Sequence, residues 1–162
     1  MQPARNSSRS FLPWVGLAIR LLSAAFWILS GAMKLPDLGA FADQVDRYEV
    51  LPRFLVAPLA YIMPFFEIFL GLYLAAGLFV RVSALVGTIL LAVFLAAQVQ
   101  ALIRGLVLDC GCFGSIFSAT VSPGTIFRDL ALGLPTFLMA AFPARRFSLD
   151  RQLFDAADRF AL

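Results

Sequence analysis

The side chains in this sequence best suited to chemistry are two cysteines one residue apart. They lie in the stretch Leu108-Asp109-Cys110-Gly111-Cys112-Phe113-Gly114. The thiolate is the reactive form of cysteine, and two thiols this close can cycle between dithiol and disulfide. A structural disulfide gains most by closing a long loop, and an i,i+2 bridge closes almost nothing. Strain in so small a ring would move the couple toward the labile, oxidising end of the scale. Gly111 supplies the backbone freedom such a ring needs. Zinc would require four ligands, and the chain has two cysteines and no histidine, so a dimer or partner would have to complete the site. The plain alternative is a pair of inert thiols, or a bridge that only shapes a loop. Two neighbours extend the redox reading. Arg128 is close enough in sequence to favour a thiolate, and Asp109 could move a proton or cap a turn. The candidate catalytic set is Cys110, Cys112, Asp109 and Arg128.

The surroundings are those of a membrane. Hydrophobic residues make up 61% of the chain and charged residues 14%, against an apolar content of about 45–50% in soluble domains. Mean hydropathy is +0.88. The net charge of +3 comes from basic residues flanking apolar segments, which suits membrane topology and headgroup contacts. No run of lysine and arginine interleaved with aromatics supports nucleic-acid binding.

Four apolar segments approach the ~20 residues needed to cross a bilayer core: Phe11 to Met33, Leu55 to Phe79, Val82 to Ile103 and Thr125 to Phe142. The expected fold is an all-α integral membrane protein, a four-transmembrane-helix bundle with short interfacial amphipathic helices. Residues 1–10 read as a cytoplasmic tail, 11–142 as the membrane domain and 143–162 as an amphipathic cytoplasmic tail. Between the first two spans, Leu38, Phe41, Val45 and Tyr48 fall at helical spacing with acids opposite. That spacing predicts a short helix on the membrane surface, either a plain connector or a cap over the cysteine loop. A bare carboxylate within a span is expensive, so Glu67 is expected to pair with Arg20 at comparable depth. Gln98 and Gln100 lie toward the cysteine end of the third span, where amides bond between helices or contact a quinone carbonyl. Arg20, Glu67, Gln98 and Gln100 are therefore the candidate contacts for quinone, if quinone binds.

With four spans both termini share one side. Seven lysines and arginines flank the spans there, against five on the other side. The bias places the termini in the cytoplasm and the cysteine loop outside it, where a disulfide persists.

These residues also carry a resemblance. Arg20, the run Leu29-Ser30-Gly31-Ala32-Met33-Lys34-Leu35, Pro64-Phe65-Phe66-Glu67, Gly71 and Gly77 resemble the first two spans of DoxX-like membrane proteins. Asp109-Cys110-Gly111-Cys112-Phe113-Gly114 with Arg128-Asp129 makes the chain similar to the MauE branch of that group, over roughly residues 15–142. The resemblance implies a four-helix protein of the bacterial inner membrane. It further implies a role beside an extracytoplasmic thioredoxin-like partner in the maturation of methylamine dehydrogenase, whose small subunit is rich in disulfides. The function expected is thiol–disulfide oxidoreduction: one cysteine attacks a partner disulfide, the other resolves the mixed disulfide, and electrons pass to or from quinone. With one cysteine pair there is no second internal disulfide to relay them. The competing expectation is a non-enzymatic assembly subunit whose cysteines are structural. The resemblance leaves the partner, the direction of electron flow and the oligomeric state open.

Overall fold

The structure, a computed structural model, describes residues 12–111 and 119–142. Both tails, and the part of the cysteine loop that holds Cys112, lie outside the described residues. Five α-helices follow one another: α1 Leu12–Lys34, α2 Leu38–Arg47, α3 Arg53–Ala76, α4 Val80–Ile103 and α5 Pro123–Ala141. A single 3₁₀ turn, Leu35–Asp37, joins α1 to α2. Among the described residues there is no strand, only an isolated antiparallel bridge between Asp109 and Thr120.

Each of the four apolar segments is helical. Three stretches are long and apolar enough to cross a membrane: Trp14–Arg47, which runs through α1 and α2, then α3 and α4. The helix at the fourth expected span, α5, has 19 residues, and its second turn carries Arg128 and Asp129. The outward faces are apolar, as a lipid-facing surface requires. Phe54, Ile62, Phe69, Val93 and Phe137 all stand exposed. Pro58 and Pro64 are accommodated inside α3 without ending it. Gly77, in the left-handed conformation at φ 72°, closes α3 as helix-terminating glycines commonly do.

The long helices form a ring in which α1 packs on α3 and α5, and α4 packs on α5 and more lightly on α3. The tightest pair is α1 with α3, and small residues make that approach possible. A Cβ on Gly71 would lie 2.6 Å from Ile28 Cγ1 and 2.8 Å from the Ala24 carbonyl oxygen. One turn of contact further along, Gly31 sits against Pro64 and Ile68. These contacts fix an antiparallel register in which α1 residue numbers fall as α3 numbers rise. The core between the helices holds Ala24, Trp27, Leu70, Leu74, Ala84, Leu91 and Met139. Trp27 Nε1 donates to Thr136 Oγ1 at 3.1 Å and ties α1 to α5.

The C-terminus of α1, helix α2, the N-terminus of α3, the C-terminus of α4 and the N-terminus of α5 share one end of the bundle with the cysteine loop. Asp37 caps α2 by accepting from the Ala40 amide at 2.8 Å, and Phe41 and Tyr48 turn inward and are buried. The amphipathic helix expected between the first two spans therefore exists, and its apolar face covers the bundle end.

Gly71→Leu should overpack the α1–α3 contact by about 1–3 kcal/mol. The measurement is the unfolding midpoint in detergent. Gly39→Ala is the control: its Cβ would meet only Asp37 Oδ1, at 3.5 Å, and it should leave the midpoint nearly unchanged.

Candidate functional site

Cys110 is completely buried, and its backbone is fixed from three sides. Its amide donates to the Ala119 carbonyl at 2.8 Å, and the Val121 amide donates to the Leu108 carbonyl at 2.7 Å. The two ends of the loop are thereby joined. From α2's C-terminal end, the Tyr48 hydroxyl contacts the carbonyls of Asp109 and Cys110 at 3.0 and 3.2 Å. Tyr48 is positioned in turn by Arg104, whose Nη1 donates to the Tyr48 carbonyl at 3.4 Å and whose Nη2 pairs with Glu49. Gly111 has φ +72°, and a Cβ there would stand 2.9 Å from Gln44 Oε1. The left-handed backbone at Gly111 favours glycine, and a larger residue there would also have to displace the Gln44 side chain.

A polar chain leads to the sulfur. Arg128 Nη2 donates to Cys110 Sγ at 3.2 Å, while Nε donates to Asp129 Oδ1 at 3.0 Å. Asp129 is completely buried, and its Oδ2 accepts from Gln98 Nε2 of α4 at 2.8 Å. Helix α5 begins with a capping box, in which Thr125 N donates to Ser122 Oγ and Ser122 N to Thr125 Oγ1. That rigid start places Arg128 over the cysteine. Burial in apolar surroundings opposes the thiolate, whereas an adjacent guanidinium favours it. Arginine cannot lose its proton in a protein, so the favourable charge is permanent.

The other charged cluster is in the spans. Lys34 Nζ lies 2.6 Å from both oxygens of Glu67, and Ser30 joins the pair, donating to Glu67 Oε2 at 2.9 Å. Lys34 also stands 5.2 Å from the centre of the Phe41 ring. Lys34 and Glu67 are both buried. Glu67 is thus paired, but with Lys34 and not with Arg20. The α1–α3 register explains the correction. It sets Glu67 level with Ser30, ten positions from Arg20, which is about 15 Å along a helix. A lysine four residues beyond Ser30 reaches Glu67, and Arg20 lies near the opposite end of the bundle.

A cavity of about 180 Å³ extends between the two clusters. Lys34, Glu67 and Ser30 line it in one region and Cys110 and Gly111 in another, with Trp27, Phe41 and Phe94 among the apolar walls. Of the residues expected here from the sequence, Cys110 and Arg128 come together, and Glu67 reaches the same cavity. Gln98 is buried, but it holds Asp129 and does not line the cavity. Gln100 is exposed on the outer surface of α4, and the Asp109 side chain is exposed. Cys112 lies outside the described residues. Lys34, Ser30, Tyr48 and Gln44 are additions. The i,i+4 spacing of Ser30 and Lys34 opposite a buried glutamate was the available signal for the first two.

Apolar helices of spanning length around buried polar clusters define a multi-pass membrane protein with a cysteine at its capped end. The chain matches the family model "Methylamine utilisation protein MauE" over residues 12–142 and belongs to that family. It is 30% identical over 138 residues to the methylamine utilization protein MauE of Paracoccus denitrificans, covering 82% of this chain and 74% of that protein. No solved structure matches.

Two outcomes follow from the geometry. In a Cys112→Ser background, Arg128→Met should lower the fraction of Cys110 present as thiolate at a given pH, read from thiolate absorbance during a pH titration. Lys34→Met should destabilise the protein by about 3–5 kcal/mol, because it strands a buried carboxylate. Lys34→Met with Glu67→Met should recover most of that loss, as compared by unfolding in detergent.

Proposed function

We propose that this protein is a membrane thiol–disulfide oxidoreductase that takes electrons from an extracytoplasmic thioredoxin-like partner through Cys110 and Cys112. The observation that carries the reading is the 3.2 Å contact of Arg128 Nη2 with Cys110 Sγ, held by buried Asp129 and Gln98. A cysteine kept only for packing needs no guanidinium at its sulfur. A contact that favours the thiolate stabilises the reduced form, and a couple with a stabilised reduced form is the more oxidising.

The chemistry balances as follows. A partner thiolate attacks Cys112 of the Cys110–Cys112 disulfide, because Cys110 is buried beyond a protein's reach. The S–S bond breaks, Cys110 leaves as a thiolate beside Arg128, and a mixed disulfide joins Cys112 to the partner. The partner's second thiolate then attacks its own sulfur in that bond and releases Cys112. The partner ends as a disulfide and this chain as a dithiol, so two electrons and two protons have moved. With two cysteines in the chain, those electrons leave to an acceptor that touches this site.

In this reading α5 is the fourth span. Its 19 residues extend about 28 Å, close to the ~30 Å hydrocarbon core, and Leu130, Leu134 and Phe137 face outward. Both termini are then cytoplasmic and the cysteine loop faces the periplasm. The family description supports methylamine utilisation as the setting, and the purpose we propose within it is disulfide formation in methylamine dehydrogenase.

The oxidised protein should form a mixed disulfide with reduced thioredoxin whose second active-site cysteine is serine. Cys112→Ser should abolish the adduct, and Arg128→Met should slow its formation tenfold or more. In intact cells a membrane-impermeant alkylating reagent should label the chain only after mild reduction. Retained biological function with both cysteines replaced by serine would instead establish the assembly role.

A further inference from the structure

The cavity between Cys110 and the Lys34–Glu67 pair joins three features that packing alone does not require together. One is a redox-capable sulfur's residue in its wall. Another is a buried ammonium–carboxylate pair, a costly arrangement where an apolar pair of similar volume would often serve as well or better. The third is a wall exposed between two spans. Val93, midway along α4 and 63% exposed, and Met63 of α3 both line the cavity, on the side where α3 and α4 pack lightly. This wall of the cavity lies within the apolar spans, and its outer face is apolar. At about 180 Å³ the space exceeds the ~150 Å³ cavity that holds a benzene ring. A mostly apolar pocket with a few convergent polar groups is the usual form of a small-molecule site.

We propose that this cavity binds the headgroup of a lipid-soluble quinone, which is the oxidant of the reduced cysteine pair. The inference rests on the thiol–disulfide reading above and supplies its electron acceptor. The flat ring lies among Trp27, Phe41 and Phe94, its isoprenoid tail leaves between α3 and α4, and a ring carbonyl accepts a hydrogen bond from Lys34 in place of the one that Lys34 Nζ gives to Ser30 Oγ at 3.0 Å. The dithiol gives up two electrons and two protons and becomes the Cys110–Cys112 disulfide. The quinone takes up two electrons and two protons and becomes the quinol. The lysine ammonium is placed where negative charge develops on the carbonyl oxygen during that transfer, and Glu67, which accepts from Ser30, holds it there. Lys34 is therefore a quinone-binding residue, whereas Gln98 acts on the sulfur through Asp129 and Arg128.

Trp27 offers a binding signal independent of electron transfer. The chain has two tryptophans, and Trp14→Phe leaves Trp27 as sole reporter. In that background, in detergent and without oxygen, decylubiquinone should quench Trp27 fluorescence saturably and yield one quinol per reduced protein. Cys110→Ser should keep the quenching and lose the quinol. Lys34→Met should weaken quenching tenfold or more. Because that variant risks misfolding, Lys34→Met with Glu67→Met is tested alongside it, and Met63→Trp in a Trp27-independent quinol assay should block the tail's exit between α3 and α4. Failure to quench saturably, quenching without quinol, or full affinity in the folded double variant would overturn the proposal. Exchange with thioredoxin is measured separately with no quinone present. If it fails while quinol still forms, the cavity assignment stands and the partner reading falls.

Discussion

A charge inside an apolar bundle has to meet its counter-charge inside the same bundle. The penalty for a lone ion in apolar surroundings exceeds what one helix contact returns. Among the described residues the two buried acids, Glu67 and Asp129, obey this constraint, and each does so across a helix–helix contact or at a helix end. Glu67 of α3 takes Lys34 and Ser30 of α1. Asp129 of α5 takes its neighbour Arg128 and reaches Gln98 of α4. One cluster ties the first helix pair and the other ties the second. Both stand toward the capped end, and the cavity lies between them.

The register of α1 against α3 decides which basic residue Glu67 meets. Gly31 and Gly71 permit backbone approach so close that a Cβ at either would collide with the other helix. Sliding the helices by one turn would bring larger residues into those positions. The ion pair is thus selected by packing: the glycines set the register, the register brings Lys34 to Glu67, and the pair then penalises any other alignment. The same logic runs through the cysteine loop. The bridge at Asp109–Thr120, the Tyr48 hydroxyl and the left-handed Gly111 together leave Cys110 one position, and the capping box at Ser122 leaves Arg128 one as well.

Much of this was legible in the chain. Hydropathy located the long helices to within about two residues at most ends, because long apolar runs leave few other options. The amphipathic spacing of Phe41 and Tyr48 located α2 and its buried face. The Arg128–cysteine contact was readable from a basic residue at a helix entrance following the loop. Pairing was not readable. Arg20 and Lys34 are both cations in or beside the first span, and composition alone does not set the register that separates them by about two-thirds of a helix length. Gln98 was visible as a buried amide, but its partner, on a helix thirty residues later, depended on how α4 and α5 pack. The lining of the cavity depended on α1, α2, α3, α4 and the cysteine loop at once.

Cys110 occupies the boundary between two environments, and that position constrains which chemistry it can serve. Its peptide belongs to the loop, where the carbonyl meets Tyr48 and the amide meets Ala119. Its sulfur points to Arg128, and the residue forms part of the cavity wall. A cysteine meant to greet a protein partner directly would sit exposed. One meant only to fill space would not hold an arginine whose carboxylate partner is itself anchored by a buried amide. The backbone of Cys110 is held by the loop on one side, the cavity lies on the other, and Arg128 fixes a permanent positive charge at the sulfur between them.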